Sequence, residues 1–182
     1  GEAFIPAPIP GAPGAGVVAV PGAPASPAAP TGTAPITLTA TTAPATIAAL
    51  APVVAVGGVA ISSPPIVTFS VADANNNPII GLGYAKQTAT QVYPTLTNIS
   101  FSLAKLVPGT NGAPSKWVNY IVTGSPSYKS ATDKTIVPPT NLSRPSTENN
   151  GTLTDYKNGV YVYKFNRDIT KIAAEVAAFT AP

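Results

Sequence analysis

The chain contains no cysteine, no histidine and no methionine among its 182 residues. Without thiolates and imidazoles it lacks the usual ligands of zinc, copper and haem iron, and it lacks the Cys-x-x-Cys-His sequence that attaches a c-type haem. The same absences exclude a Ser-His-Asp or Cys-His nucleophile within this chain. Because no starting methionine and no basic-then-apolar leader precede Gly1, we expect a processed or excised product.

Charged residues are scarce as well, at 9% of the sequence, which is about a third of the usual share. Ten Lys and Arg stand against seven Asp and Glu, and the basic residues are scattered singly between Lys86 and Lys171. Nucleic-acid binding normally needs clustered basic side chains, so we do not expect it. A Thr-, Ser-, Asn- and Gly-rich chain with few charges favours a secreted, extracellular protein.

Proline is abundant where charge is absent, and residues 1–35 differ from the rest of the chain. Proline fixes φ and removes a backbone donor, so neither a helix nor a central strand can persist there. We therefore predict an extended Pro/Ala/Gly-rich arm over residues 1–35. It is either a flexible spacer or a segment that packs against a neighbouring subunit. In the second case the interacting side chains would be Phe4, Ile5, Ile9, Val17, Val18 and Val20.

Alternating patterns from Ile36 onward predict strands, and the most regular one runs from Val160 to Phe165. Period-two alternation places its three aromatic side chains on one face. Aromatic residues at such positions are usually core. We expect the core aromatics to be Phe69, Phe101, Trp117, Tyr161, Tyr163 and Phe165. The alternative is an exposed stacking platform for sugars or flavins, built from Trp117, Tyr120, Tyr161, Tyr163 and Phe165.

The apolar stretch 45–61 raises the question of a membrane span, but proline and a Gly57-Gly58 pair interrupt it. A span needs about 20 consecutive apolar residues, so no transmembrane segment is predicted. The stretch is predicted instead to form one or two core strands, Val53–Val56 and Val59–Ile61. TNISFSLAKLV, residues 97–107, is predicted to be one long strand that forms a hairpin with the strand after Lys116.

Polar clusters between these strands are predicted to be turns. Asp73, Asn75 and Asn77 copy the first three ligands of a calcium loop, but the glycine and the distal glutamate of that loop are missing. Glu148 and Asp155 flank a second polar turn, TENNGTLTD, where a paired acid and base is the alternative and solvated turn residues are the prediction. We therefore predict no catalytic, cofactor-binding or metal-binding residues in this chain and no enzyme activity.

Three parts follow from these patterns: an arm over residues 1–35, a β-domain over 36–168, and a short helix with a tail over 169–182. The helix is predicted because the apolar residues of ITKIAAEVAAF recur at helical spacing. Residues 125–147 carry prolines without periodicity, so they are predicted to form a long surface loop.

Three separated blocks together resemble a known family: PPIVTFSVADANNNPIIGL, FSLAKLVPGTNGAPSKWVNYIV and RPSTENNGTLTDYKNGVYVYKFNRDITK. They resemble the N-terminal haem-free β-domain of outer-surface decahaem c-type cytochromes of metal-reducing bacteria, the OmcA/MtrC type. The resemblance runs from about residue 45 to 172 and leaves out the arm. The expected fold is therefore all-β, as a Greek-key split barrel or an Ig-like sandwich.

The resemblance implies a domain at the bacterial outer-membrane surface that supports or docks a haem-bearing domain or cytochrome subunit in extracellular electron transfer. Haem is expected only on that attached or partner domain. No haem-bearing segment follows the β-domain here, so the chain is either a fragment of a longer cytochrome or a module used alone. In the second case the alternative is a self-assembling surface or filament subunit. Its arm would add as a strand to the open sheet edge of another copy.

Overall fold

The computed structural model describes residues 13–14, 16–62, 64–125, 128–129, 136–137, 140–167 and 169. The chain forms two compact units, one of Gly1–Ile99 with Asn150–Asn166 and one of Ser100–Asn149 with Arg167–Pro182. In the sequence, Ser100–Asn149 of the second unit stands between the two segments of the first, and Arg167–Pro182 follows the later of those segments. The expected boundaries at residues 35 and 168 stay predictions.

One short helix and a series of mostly short strands make up the described structure. The helix is α1 (Pro44–Ala49). The strands, in chain order, are β1 (Ile36–Thr37), β2 (Val53–Ala60), β3 (Ile66–Ala72), β4 (Ile79–Ile80), β5 (Ala85–Lys86), β6 (Thr95–Leu96), β7 (Ala104–Val107), β8 (Lys116–Asn119), β9 (Val122–Ser125), β10 (Tyr128–Lys129), β11 (Ile136–Val137), β12 (Thr140–Pro145), β13 (Thr152–Asp155) and β14 (Val160–Lys164).

The first unit is built on a four-stranded antiparallel sheet with the order β13-β14-β3-β2. Its two central strands read IVTFSVA and VYVYK, which are rich in the β-branched and aromatic residues that suit a pleated surface. All seven residues of β3 are buried. A strand that is buried throughout needs a covering layer on both faces of its sheet.

The aromatic face of this sheet is covered by the segment that follows β3. Phe69 lies directly opposite Tyr161 in the β3–β14 ladder. The turn after β3 leads into β4, whose Ile79 is fully buried, and β4 pairs in parallel with β1. The Tyr161 hydroxyl donates a 2.7 Å hydrogen bond to the Ile79 carbonyl, which fastens this layer to the sheet.

The edge strand β2 corrects one sequence prediction. Val53–Val56 and Val59–Ala60 lie in the single strand β2, and Ile61 follows it directly. The strand has a bulge at Gly57, because Val56 pairs with Phe69 and Gly58 pairs with the adjacent Thr68. They are not core residues, however, since Val53, Val54, Val56, Val59 and Ile61 are all exposed. The physical reason is position: β2 pairs with β3 on one side only.

The second unit contains three two-stranded antiparallel pairs, β7–β8, β9–β12 and β10–β11. The predicted strand over 97–107 is shorter than expected, because only β7 and an isolated bridge from Phe101 to Glu148 remain of it. Residues 125–147, predicted to be a loop, contain β10, β11 and β12 in full and the last residue of β9. The predicted pairing of the 97–107 stretch with the strand after Lys116 is present as the β7–β8 hairpin.

The predicted all-β class is confirmed, and the sheets of the described residues do not include a closed barrel. The predicted helix over 169–179 lies almost wholly outside the described residues. Within the part of the chain that the structure describes, no helix has the length and apolar composition needed to cross a bilayer.

Candidate functional site

The described part of the N-terminal arm lies on the second face of the main sheet. There Ile66, Tyr156, Val160 and Val162 form a buried cluster, and Val17, Val20, Ala23 and Ala29 of the arm pack against it. Backbone groups fix the position: the Gly14 N–H donates to the Tyr156 carbonyl at 2.8 Å, and the Val20 N–H donates to the Tyr156 hydroxyl at 3.2 Å. The arm of this chain therefore covers the sheet of this same chain.

A tight turn reverses the arm over the sheet. The Ala23 N–H bonds the Val20 carbonyl at 3.2 Å, and Gly22, with φ of +76°, follows Pro21. Proline followed by a residue of positive φ is the sequence signature of a type II turn. Beyond the turn, the buried Thr68 hydroxyl donates a 2.7 Å bond to the Ala25 carbonyl, so the arm crosses β3 as well.

The Gly57-Gly58 pair of β2 lies directly beneath the arm. A side-chain Cβ on Gly57 would collide with Pro27, and one on Gly58 would lie 3.0 Å from the Cβ of Pro24. Glycine in a strand often marks the close approach of another backbone. Here the approaching backbone is the arm.

The residues expected to interact through the arm therefore separate into three groups. Val17 and Val20 are used within the chain, because they pack on its own sheet. Val18 is 84% exposed. Phe4, Ile5 and Ile9 lie outside the described residues.

Four of the six aromatic residues that were predicted to be core are buried. Phe69, Tyr161, Tyr163 and Phe165 are buried. The Phe69 and Tyr161 rings stack at a centroid distance of 5.4 Å, and the rings of Tyr163 and Phe165 meet edge to face at 4.9 Å. Burial, with the negative charge of Asp155 as the lesser cause, raises the pKa of Tyr161 above its usual range. An exposed stacking platform cannot include these side chains.

Trp117 corrects the expectation that it belongs to the core. It is 67% exposed, and Leu106, directly opposite it in the β7–β8 hairpin, is 47% exposed. Phe101 is only partly buried. Alternation along a four-residue strand shows that two side chains share a face, but it does not show that anything covers that face. The Leu106–Trp117 pair is an apolar patch on the surface of the second unit.

Charged side chains near the turns are engaged in holding the backbone. Asp73 accepts hydrogen bonds from the Asn75 and Asn77 N–H groups at 2.9 and 2.8 Å and from the Asn77 amide at 3.0 Å. These bonds, the Asn77 amide first, lower the pKa of Asp73. The predicted turn is thus present at this position. A groove of 410 Å³ beside it lies between arm residues 28–31 and the β2–β3 strands, and Asp73 lines it.

The carboxylates of Asp155 and Glu148 also accept hydrogen bonds from backbone groups. Asp155 accepts a 2.8 Å bond from the Gly81 N–H and a 2.7 Å bond from the Lys157 N–H, and it forms a 3.0 Å ion pair with the Lys157 ammonium. Glu148 accepts a 3.1 Å bond from the Arg167 N–H. Among the described residues, no group of three or more His, Cys, Asp or Glu side chains is placed to hold a metal ion.

Tyr156 is the residue that sequence reasoning missed. It belongs to no alternating pattern, yet it is buried and anchors the arm at two places. The available signal was indirect: the adjacent glycines of β2 predict the close approach of a backbone, although they do not show which segment approaches.

The described residues thus form an all-β fold in which the β7–β8 hairpin has an exposed apolar patch and β2 leaves one edge of the main sheet unpaired. No protein-family model and no curated protein matches the chain. Among solved structures it is similar to MtrC from Shewanella baltica OS185, at 23% identity and a TM-score of 0.39 over 65% of this chain and 15% of that chain. It is also similar to the outer membrane decaheme cytochrome OmcA, at 16% identity and a TM-score of 0.39 over 65% of this chain and 17% of that chain.

These two similarities are to the proteins after which the resembling family is named. The match spans no more than 17% of either cytochrome. At a TM-score of 0.39 the likeness is too loose to carry an argument about the site or its function.

Proposed function

We propose that this chain is a non-catalytic extracellular β-domain that supports or docks a multihaem cytochrome in extracellular electron transfer at the outer-membrane surface. The resemblance of the three sequence blocks supports it. In the structure these blocks contain β3 with β4, β7 with β8, and β13 with β14. Because the sequence has no cysteine and no histidine, the haem belongs to an attached or partner domain.

The observation that carries the docking role is the exposed Leu106–Trp117 pair. Tryptophan is enriched among the residues that dominate binding energy at protein interfaces, since it buries a large rigid surface when a partner covers it. Lys105 and Lys116, the exposed neighbours of this pair in sequence, add positive charge on the same hairpin. A haem edge offers the complementary chemistry, with an apolar porphyrin rim and propionate carboxylates.

The use of the charged side chains supports a role without catalysis. Asp73, Asp155 and Glu148 each accept bonds from backbone N–H groups, which hold a turn, an adjoining loop or a strand end in place. A general acid or base must instead reach a substrate proton from a cleft. A docking domain needs only a rigid scaffold and a recognition surface.

The test is a binding measurement with the whole chain immobilised and a purified outer-surface decahaem cytochrome in solution, followed by biolayer interferometry. Trp117→Ser is expected to weaken binding by about tenfold or more, the range found for central interface aromatics. Lys105→Gln is expected to slow association and reduce its dependence on salt.

The matched control is Val92→Ser, because Val92 is 81% exposed and lies in the other unit. This variant is expected to bind like the unchanged chain. If the Trp117→Ser and Val92→Ser variants bind the cytochrome equally well, the β7–β8 hairpin is not the docking surface. A complete lack of binding by the unchanged chain would contradict the proposed function itself.

A further inference from the structure

The outer edge of β2 has unused backbone groups. The Val71 N–H donates to the Gly159 carbonyl, on the β14 side of β3. Backbone groups alternate between the two sides of a strand, so the groups of Thr68 and Ser70 point toward β2. Through the β2–β3 register, Val54, Val56 and Val59 then point their N–H and C=O groups away from the sheet. In the described part of the chain these outward groups have no hydrogen-bond partner.

The side chains of the same three valines are also exposed, by 58%, 63% and 42%. They lie opposite Val71, Phe69 and Val67, so they extend the aromatic face of the sheet beyond β3. No charged residue occurs between Glu2 and Asp73. Natural edge strands are usually blunted by charge, and this one has only its bulge.

The N-terminal sequence contains a segment that could pair along one side only. In FIPAPIPG, residues 4–11, prolines occupy positions 6, 8 and 10. In an extended strand these three positions face one side, which therefore has no N–H donors. The backbone N–H and C=O groups of Ile5, Ala7 and Ile9 would all point to the other side of such a strand. Proline in sheets is confined to such outward-facing edge positions.

We propose that residues 4–11 of a second copy of this chain add to β2 as an antiparallel edge strand. In an antiparallel pair, directly opposed residues have side chains on the same face. Ile5, Ala7 and Ile9 would then join the exposed row of Val54, Val56 and Val59. A parallel strand would turn them to the opposite face, so the antiparallel arrangement alone buries both sets of apolar side chains together. The prolines would close the new edge.

The position of the arm favours a second copy over the same chain. Gly14 is bound to Tyr156, in the turn between β13 and β14, and β2 is the opposite edge of the sheet. Reaching the outer side of β2 means crossing about three strand spacings, or about 14 Å. Five extended residues from Ile9 to Gly14 span about 17 Å, which covers the straight distance but leaves almost no length for a detour. At β2, arm residues 24–31 already lie on the face of the sheet from which Gly14 starts. The chain would therefore have to pass around these residues as well.

Each copy would contribute one donor segment and one acceptor edge. Such a contact is heterologous, so it continues from copy to copy and builds a linear assembly unless it closes into a ring. This inference goes beyond the proposed function, because it involves neither haem nor the Leu106–Trp117 pair, and either proposal can fail without the other.

The first test compares two single substitutions by sedimentation velocity over a range of concentrations. The unchanged chain is expected to associate as concentration rises. Ala7→Pro removes a donor that faces β2, so it is expected to weaken association by about tenfold. Pro8→Ala restores a donor on the outward side and is expected to leave association unchanged. Equal weakening by both variants, or weakening by neither, would overturn strand addition.

The second test uses disulfides, for which a chain without native cysteine is well suited. Cysteine is placed at Ile5, Ala7 or Ile9 in one set of chains and at Val56 in another, and the two sets are mixed under mild oxidation. A disulfide between two chains is expected, since opposed Cα atoms lie about 5.5 Å apart, within disulfide range. The Pro8→Cys control, on the other face, is expected to cross-link poorly.

Two outcomes would count against the proposal. If a chain carrying both cysteines forms the disulfide internally and stays monomeric, the segment covers its own β2 and the second copy is excluded. If none of the three positions cross-links with Val56→Cys above the level of Pro8→Cys, β2 does not receive this segment.

Discussion

The seating of the arm on β2 can be tested with the adjacent glycines Gly57 and Gly58. The arm passes so close that a Cβ on Gly57 would collide with the backbone nitrogen and ring of Pro27, which cannot yield as a flexible side-chain end could. A Cβ on Gly58 would lie 3.0 Å from Pro24 and 3.3 Å from the Ala25 carbonyl, which is tight but open to a small shift. The substitutions Gly57→Ala and Gly58→Ala therefore differ mainly in the severity of this contact.

The expected magnitudes follow from two opposing effects. Replacing glycine by alanine within a strand normally stabilises by about 0.5–1 kcal/mol, because the unfolded chain loses freedom. Overpacking a closely fitted contact costs about 1–3 kcal/mol. For Gly57→Ala the second effect is fully present, so the free energy of unfolding is expected to fall by about 0.5–2 kcal/mol. For Gly58→Ala the two effects nearly cancel.

The assay is urea unfolding followed by far-UV circular dichroism, together with the rate at which a protease cleaves the arm. Gly57→Ala is expected to lower the unfolding midpoint and to speed cleavage between residues 14 and 31. Gly58→Ala should resemble the unchanged chain in both measurements. A Gly57→Ala variant that is as stable as the unchanged chain, or more stable, would refute the seating of the arm on this strand.

Two further predictions concern the sheet and its first turn. Tyr161→Phe leaves the buried Ile79 carbonyl without its 2.7 Å donor, so the free energy of unfolding should fall by about 1–3 kcal/mol, whereas the exposed Tyr93→Phe should change nothing in the same urea titration. Asp73 has a pKa below its ordinary value of 3.8 in the folded chain because the Asn77 amide stabilises its charge. Its contribution to stability is therefore fully present above pH 3.8 and is lost as the pH falls through the lowered folded value. The stability difference between the unchanged chain and Asp73→Asn should shrink over that range, and a difference that stays constant would contradict this reasoning.

Local pattern was a sufficient guide for the central strands. β3 and β14 are rich in β-branched and aromatic residues, and each has a paired strand on both sides in the sheet. The burial predicted from their sequence pattern is therefore the burial observed. The turn at Asp73 was likewise predictable, because an Asp or Asn side chain caps a turn that lies within its own few residues.

Burial at the edge of a sheet could not be predicted from the pattern. The residues of β2 are as apolar as those of β3, yet β2 has a neighbour on one side and its valines are exposed. The prediction that Trp117 is buried was wrong for a similar reason. Its hairpin partner Leu106 lies on the same face of the hairpin but does not cover it. In both cases strand order decides exposure, and strand order depends on contacts between distant parts of the chain.

The role of the arm was the largest gap between sequence and structure. Proline-rich composition correctly excludes helix and central strand, but it does not distinguish a free spacer from a covering layer. The distinction depends on Tyr156 and on the two glycines of β2, which are 30 or more residues away from the arm segments they contact. A contact of this range leaves no periodic signal in either segment.

The most direct test of the docking role is the fluorescence lifetime of Trp117, the only tryptophan of the chain. Haem absorbs where tryptophan emits, so a decahaem cytochrome bound at the Leu106–Trp117 patch should shorten this lifetime in a saturable manner, with the decay of the cytochrome alone subtracted. A lifetime that stays constant while binding is detected would place the partner elsewhere. A constant lifetime without any binding would contradict the proposal that this domain docks a multihaem cytochrome.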